Sequence, residues 1–482
     1  MTYSILAQIR RVARSGASAR AWRLFCGEGL EASDDPDVLS LKGRLLKDRA
    51  GKSADGEKEE FLLLAQQAYL AAARAGASTY PLINAATLSL FRGRLDEAQT
   101  LAREVMHRLD SGQHDPETPY WLDATRAEAA FILDDRIGGE HWIAQARNTA
   151  PRAWEDHAAT VRQVRQILKI KGLPEAILDP LRPPPSLFFD GIIGLPENEG
   201  EAHDKISMAL DSFSPGAVYG ALAAGSDILI AEVAVDSGAE LHIILPTDLQ
   251  RFRATSVIPF GHHWASRFDR LIDRADSLYT AGRGQLSDAA VVKASQIAMG
   301  LAVQRSQLLE TKTIGLHVGR SADPDQDKWP RWGKTAIERH VVSIEDSYLP
   351  DCPALAKSRN RVAVAWTLRA TDEAEEPTCA AAPMMVDDID EAMQYIDGLF
   401  ARYPDAAVAL DYCTLDPDPG ADPIPSLAIL LSKSAPPGSL CVQWPDAAVI
   451  SLFAPEWHFE VAGEVMTNQG DIEVALHFPV TD

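Results

Sequence analysis

The stretch Gly220-Ala221-Leu222-Ala223-Ala224-Gly225-Ser226-Asp227-Ile228-Leu229-Ile230-Ala231-Glu232 gathers two glycines, a serine and two carboxylates. Glycines after a strand let the backbone turn tightly and approach a ligand without a Cβ in the way. A helix starting near Ser226-Asp227 would offer a side-chain cap, unpaired N–H groups and a positive dipole end, which suits an anion. Downstream, Leu241-His242-Ile243-Ile244-Leu245-Pro246 reads as a buried parallel strand stopped by proline, and ligands of open α/β sheets sit at such strand ends. Asp190-Gly191-Ile192-Ile193-Gly194 is a second glycine turn that would face the same crevice. The residues alone leave two readings open, a ligand pocket or plain tight turns. In a pocket, Asp227 or Glu232 would also suit stabilisation of an oxocarbenium-like centre.

Other groupings carry less chemistry. His262-His263 are adjacent and point apart, with no further ligand at metal spacing. His141 and His157 stand on separate helical stretches without an HExxH pattern. Asp416, Asp418 and Asp422 are interleaved with prolines and lack the closing bidentate Glu of a calcium loop, so a solvated linker is expected. No metal site and no catalytic residue is assigned, and no phosphate-loop, GxSxG or Cys-His signature is present.

Three stretches of chain must position these residues. To about residue 175 the sequence is Ala-, Leu- and Arg-rich, with apolar residues at helical spacing. Helix pairs are expected at Leu39–Leu46 with Ala65–Ala75, at Pro81–Leu88 with Asp96–Leu109, and at Trp121–Leu133 with Ile143–Ala150. A recurrence of roughly 35 to 45 residues is in the tetratricopeptide range. Pro183-Pro184-Pro185 then marks a junction, since a proline triplet cannot continue a helix. Beyond it, short apolar runs (Ser186–Phe189, Ile228–Val235, Leu241–Leu245, Thr313–Val318) alternate with amphipathic segments (Glu201–Leu210, Trp264–Asp273, Ala289–Leu309). That alternation predicts a parallel sheet with helices on its faces. The polar stretch Ser321–Trp332 suggests another boundary. The last part mixes strands at Val362–Leu368, Ala406–Leu410, Leu440–Gln443 and Ile472–Phe478 with a helix at Ile389–Arg402, and the loop Asp416–Pro425 divides it.

A chain of 482 residues exceeds one hydrophobic core, which fits several domains. With 46 basic against 69 acidic side chains and a net charge of -23, a sequence-independent grip on nucleic acid or an anionic membrane surface is excluded as an expectation. Five scattered cysteines, Cys26, Cys352, Cys379, Cys413 and Cys441, without CxxC suggest reduced thiols. Arg10-Arg11 interrupts the N-terminus before a signal-length apolar run develops, so a cytoplasmic, soluble protein is expected.

Family resemblances sharpen these readings. Gly220, Gly225, Ser226, Asp227, Ala231, Glu232, Ala234, Gly238 and Pro246 match a pattern of the SLOG superfamily, Rossmann-like domains that include nucleotide sensors and phosphoribohydrolases. Ser226 replaces the usual Ala, Asp190-Gly191-Ile192 stands where a related bacterial branch has Ser-Gly-His, and the phosphoribohydrolase P-G-G-x-G-T-x-x-E signature is absent. The resemblance implies a nucleotide or nucleotide-derived ligand held by Asp190, Gly191, Gly220, Gly225, Ser226, Asp227, Glu232 and Pro246, with recognition favoured over catalysis. The first part resembles the helical-repeat region called the TRAF-binding domain in MAP kinase kinase kinases of the apoptosis-signalling type. The matching residues are Leu41–Asp48, Tyr80–Thr87, Glu117–Trp121 and Ala153–His157, and they imply a surface for a protein partner. Pro436–Val442 and Phe459–Val465 resemble the closing strands of a class III nucleotide cyclase, with Arg361–Leu368 as its first strand. The metal-binding Asp of active cyclases is missing there, so the resemblance implies an inactive remnant that pairs into a homodimer.

The expected architecture is multidomain, α plus α/β. A TPR-like α-solenoid occupies residues 1–178, a Rossmann-like parallel-sheet domain 179–325, and a cyclase-like (ferredoxin-like) α+β domain 326–482. The expected function is a non-catalytic nucleotide sensor that engages protein partners. A nucleotide N-glycosidase using the same pocket and a pure interaction scaffold are the alternatives.

Overall fold

Proline and small polar residues set the rhythm of the N-terminal helices. In the computed structural model α1 to α9 run Thr2–Arg14, Ser18–Gly27, Pro36–Ala50, Asp55–Ala75, Thr79–Phe91, Leu95–Ser111, Pro119–Ile132, Arg136–Thr149 and Trp154–Lys171. The residues described are 2–479 apart from 15–17, 52, 54, 77, 196–198, 283, 321–336, 345–353, 369–378, 381–382, 416–425 and 468–469. Asp35 and Thr118 cap α3 and α7, each followed by proline at the first helical position, where its missing N–H costs nothing. Helices α3, α5, α7 and α9 begin at Pro36, Thr79, Pro119 and Trp154, which keeps the expected recurrence. The turns inside successive pairs are the same structure. Gly93 (φ 71°) and Asp134 (φ 65°) adopt left-handed backbone, and the next residues, Arg94 and Asp135, donate N–H to Ser89 O and Ala130 O at 2.9 Å. Alternate helices also share one polar row. Lys47 Nζ donates to Gln163 Oε1 (2.9 Å) and Asn84 Oδ1 (3.3 Å), and Gln163 Nε2 donates to Glu128 Oε1 (3.0 Å). Residues 2–183 form one compact unit, and 184–479 form another.

In the second unit the first sheet is entirely parallel, in the order β4-β3-β2-β1-β5-β6. Its elements in chain order are β1 Ser186–Gly191, α10 Gly200–Phe213, β2 Ala217–Gly220, α11 Ser226–Asp236, β3 Glu240–Leu245, α12 Leu249–Ser256, α13 His262–Arg274, β4 Ser277–Thr280, α14 Asp288–Leu309, β5 Thr313–Arg320 and β6 Glu338–Ile344. Strand β1 shows why the run Ser-Leu-Phe-Phe is apolar without alternation. Leu187 and Phe189 enter the core under α10, α11 and α13, whereas Phe188 enters the core under α14, so both faces are covered. The run Ile228–Val235, expected among the short apolar runs, is helix α11, because it is buried on nearly all sides and leaves no periodicity to read. Strand β6 pairs with β5, so this sheet continues past the boundary expected at residue 325.

The second sheet has the order β12-β13-β11-β10-β7-β8, with β9 also paired to β7. Its elements are β7 Arg359–Leu368, β8 Cys379–Ala380, β9 Met384–Val386, α15 Ile389–Arg402, β10 Ala407–Leu415, α16 Ser426–Ser434, β11 Ser439–Gln443, α17 Trp444–Phe453, β12 Glu460–Thr467 and β13 Gly470–His477. Strands β10 and β11 are parallel and joined through α16; the other pairings are antiparallel. The ferredoxin-like expectation needs correction here, since that fold reaches its central parallel pair by a split βαβ connection. Helix α14 packs on β1, β2, β3 and β5 of the first sheet and also on α17, β7 and β10. One apolar core, with Ile297, Ala302, Val364, Ile396, Val408 and Ile450, therefore runs through the layer shared by both sheets. The expected linkers Ser321–Trp332 and Asp416–Pro425 lie outside the described residues.

Candidate functional site

The chain runs outward from β1 through β2 and β3 to β4, then returns along α14 to β5 on the other side of β1. A parallel sheet opens a crevice where its order reverses in this way, at the carboxyl ends of β1 and β5. Asp190 and His317 are register partners at that point, and His317 Nδ1–H donates to Asp190 Oδ1 at 2.6 Å. A cavity of about 600 Å³ opens beside them. Asp190, Gly191, Asp227 and Pro246 are on its wall. Apolar contributions come from Phe252 of α12, Leu286 just before α14 and Ala298 within it, among others, and Arg251, Thr255, Gln285 and Ser295 add polar groups. A mostly apolar concavity with a few convergent polar groups is the usual form of a small-molecule site.

The other expected residues frame the cavity without lining it. Gly220 ends β2 where a Cβ would meet the Phe189 ring and carbonyl at 2.6 and 2.7 Å. Gly225 has φ 115° and bridges to Ile193, and a Cβ there would lie 2.7 Å from Ile192 O. Only glycine accommodates both demands. Ser226 departs from its expected capping role. The N-cap is Gly225, without a side-chain cap, and Ser226 donates both N–H (3.2 Å) and Oγ–H (3.0 Å) to Ile192 O. These bonds lash the glycine turn after β1 to the start of α11, so the first N–H of α11 is spent on the protein. Glu232 is not at the cavity. It lies at the second turn of α11 and forms a fork with Arg267 of α13, at 2.5 and 3.0 Å, while Arg267 also holds Glu199 at 2.8 Å. That arrangement ties α11 to α13.

Asp227 is the chemically informative residue. Its Oδ2 accepts from Ala223 N–H at 3.2 Å. Its Oδ1 is fully buried with no partner, and the residue is 6% exposed. Burial, and then the nearby Asp190 charge, push this carboxyl well above the ordinary carboxylate range. The protonated form of this acid is therefore favoured over that of an ordinary exposed carboxyl, while Oδ2 serves as the acceptor and Oδ1 is left unmatched. The stability consequence has a definite sign. The unfolded chain releases this proton near pH 3.9 while the folded chain keeps it, so above about pH 4 the folded state binds more protons and Asp227 costs increasing stability as pH rises. Asp227→Asn, which keeps the acceptor and has no proton to lose, is expected to raise the melting temperature, and by more at pH 8 than at pH 5. Equal gains at both pH values would contradict an upward-shifted carboxyl.

Residues 4–89, within α1 to α5, match the family model described as Tetratricopeptide Repeats-Sensor (TPR-S). The N-terminal region is a TPR-like repeat. No curated protein matches the chain. TPR-like repeats of sensor type speak for sensing or protein interaction. Among the described residues no helix is long and apolar enough to cross a membrane, and no group of His, Cys, Asp and Glu is placed to hold a metal ion. His262-His263 open α13, with His263 Nε2 3.8 Å from Glu199. Cys26, Cys413 and Cys441 are free thiols.

Sequence reading missed His317 and the contribution of α14. Both are remote in sequence from Asp190, and nothing near Asp190 signals them.

Proposed function

We propose that this chain is a ligand-responsive signalling protein. Its first-sheet cavity takes a nucleotide or nucleotide-derived ligand, and its TPR-like repeats engage a protein partner. The observation that carries the reading is Asp227, a buried carboxyl with one unpartnered oxygen on the wall of a cavity at the sheet's reversal. A buried polar atom without a partner is costly, and a ligand acceptor group would satisfy it. The class of ligand rests on the resemblance of Gly220–Pro246 to SLOG domains, and the apolar walls suit a planar base. The repeats support the partner-binding half through their sensor-type match.

The hydrolase alternative is weakened by Glu232, whose carboxylate is committed to Arg267 away from the cavity. Asp227 alone does not make the acid–base pair that glycosidic cleavage requires. The test is calorimetry of the full chain against mononucleotides, NAD and its cleavage products, and cyclic oligonucleotides. One of these is expected to bind, and Asp227→Ala to weaken it about 10- to 100-fold, the effect of losing a buried hydrogen bond of about 1.5–3 kcal/mol. Gly225→Val, which forces a side chain against Ile192 O, should weaken it too. The reading fails if no member of the panel binds, or if Asp227→Ala binds it as tightly as wild type.

A further inference from the structure

A second cavity, of about 560 Å³, lies at the carboxyl ends of the parallel strands β10 and β11. Its wall includes Tyr279, Lys293, Asp411, Thr414, Gln443 and Trp444. Lys293, Asp411 and Asp446 are 5%, 9% and 1% exposed, and nothing in the first cavity accounts for them. Lys293 is already neutralised within the protein. Its ammonium donates to Tyr412 O and stands 3.6 Å from Asp446 Oδ1, and Asp446 Oδ2 accepts the Tyr412 N–H at 3.0 Å.

Asp411 is in a different position. Gln443 Nε2 donates to its Oδ1 at 3.1 Å, and among the described residues its Oδ2 has no hydrogen-bond partner. A carboxylate nine-tenths buried on a cavity wall, with one oxygen unmatched, calls for a donor from whatever enters. Burial and the neighbouring Asp446 push this carboxyl up to about 6, as expected of an acceptor short of donors. Asp471 and Glu473 of β13 add two more carboxyl groups to the wall, so an anionic occupant such as a phosphate is disfavoured. The wall also carries the aromatic residues Trp444 and Tyr279, the Gln443 amide, and the Thr414 hydroxyl, which donates to Asn360 Oδ1 at 2.7 Å and keeps its acceptor capacity. Aromatic side chains offer an apolar surface, while an ionised carboxylate only accepts and an amide both accepts and donates, a combination that suits a polyhydroxylated ring.

We propose that this cavity binds a neutral pentose or hexose, whose hydroxyls donate to Asp411 Oδ2 and whose C–H face rests on Trp444. The proposal stands apart from the nucleotide reading, because Asp411 and Trp444 belong to the second cavity and Asp227 to the first.

Saturation-transfer NMR and calorimetry on the full chain with D-ribose, D-xylose, D-glucose and D-galactose test it. At least one sugar should bind saturably, with affinity reduced at least about tenfold by Asp411→Asn, the loss of one hydrogen bond to a charged group. Trp444→Ala should give a comparable loss, and it decides the matter should Asp411→Asn fail to fold. Asp227→Ala should leave sugar binding unchanged whatever it does to nucleotides. The proposal is overturned if no sugar on the panel binds, if spermidine binds in place of sugars, or if the folded variants bind sugar like wild type.

Discussion

Lys293→Met is expected to destabilise the second unit by about 3–5 kcal/mol, the usual result of stripping one partner from a buried ion pair. The substitution preserves the length of the side chain but leaves Asp446, at 1% exposure, without its cation. Burial already raises the Asp446 carboxyl, and Lys293 is the group that pulls it back. Removing Lys293 forces Asp446 to take a proton or remain a charge in an apolar layer. The Tyr412 carbonyl also loses the donor that lies across from it. Urea denaturation at pH 7 measures the loss. The double variant Lys293→Met with Asp446→Leu should recover much of it, since exchanging both members of a buried pair for apolar groups is often near neutral. If the two single losses simply add in the double variant, the pair is not coupled.

Gly300→Leu is expected to be at least as damaging. Gly300 sits in α14 where that helix crosses α17, and a Cβ placed there would run into the carbonyl of Ala448. That neighbour is helical backbone and cannot rotate aside as a side chain could. The two helices would have to separate, opening the core that both sheets share. Overpacking usually costs about 1–3 kcal/mol, and a rigid backbone obstacle in a joint core places this site at or above the top of that range. Even Gly300→Ala should lose stability, although alanine normally gains about 1 kcal/mol over glycine inside a helix. Thermal unfolding followed by circular dichroism separates the cases. A Gly300→Ala protein that melts at or above the wild-type temperature would show that the helices part at little cost.

Much of the fold is visible in local punctuation. Helix α15 falls at Ile389–Arg402 as expected, because Asp388 caps it and its apolar face repeats cleanly. The turns around Gly191, Gly220 and Gly225 were legible because a strand that stops at glycine leaves a local mark. Glu232 was misplaced for the same reason that it was noticed. A motif gives spacing along the chain, but α11 turns Glu232 toward α13 and Arg267. Asp190 and His317 meet through register between neighbouring strands far apart along the chain, which no local pattern records. Lys293, Asp411 and Asp446 did leave a sign. Each is a lone ionisable residue within an apolar run, Val291-Val292-Lys293-Ala294, Ala409-Leu410-Asp411-Tyr412 and Trp444-Pro445-Asp446-Ala447. Charges in buried elements need partners, so each of the three predicts that partners exist without saying where. The order of the second sheet was unreadable because parallel pairing of β10 with β11 depends on how α16 packs back, a tertiary matter.

Helix α14 contributes to both cavities from neighbouring turns. Val291, Ala294, Ser295 and Ala298 are on the wall of the first, and Ala290 and Lys293 on that of the second, while Pro246 and Gln285 belong to both. A rigid rod held between two sheets cannot shift a fraction of an ångström for one occupant and stay still for the other. A ligand that displaced α14 in one chamber would therefore reshape the wall of the other. Were such a displacement to couple two ligands, thermodynamic reciprocity would fix the return effect at the same factor.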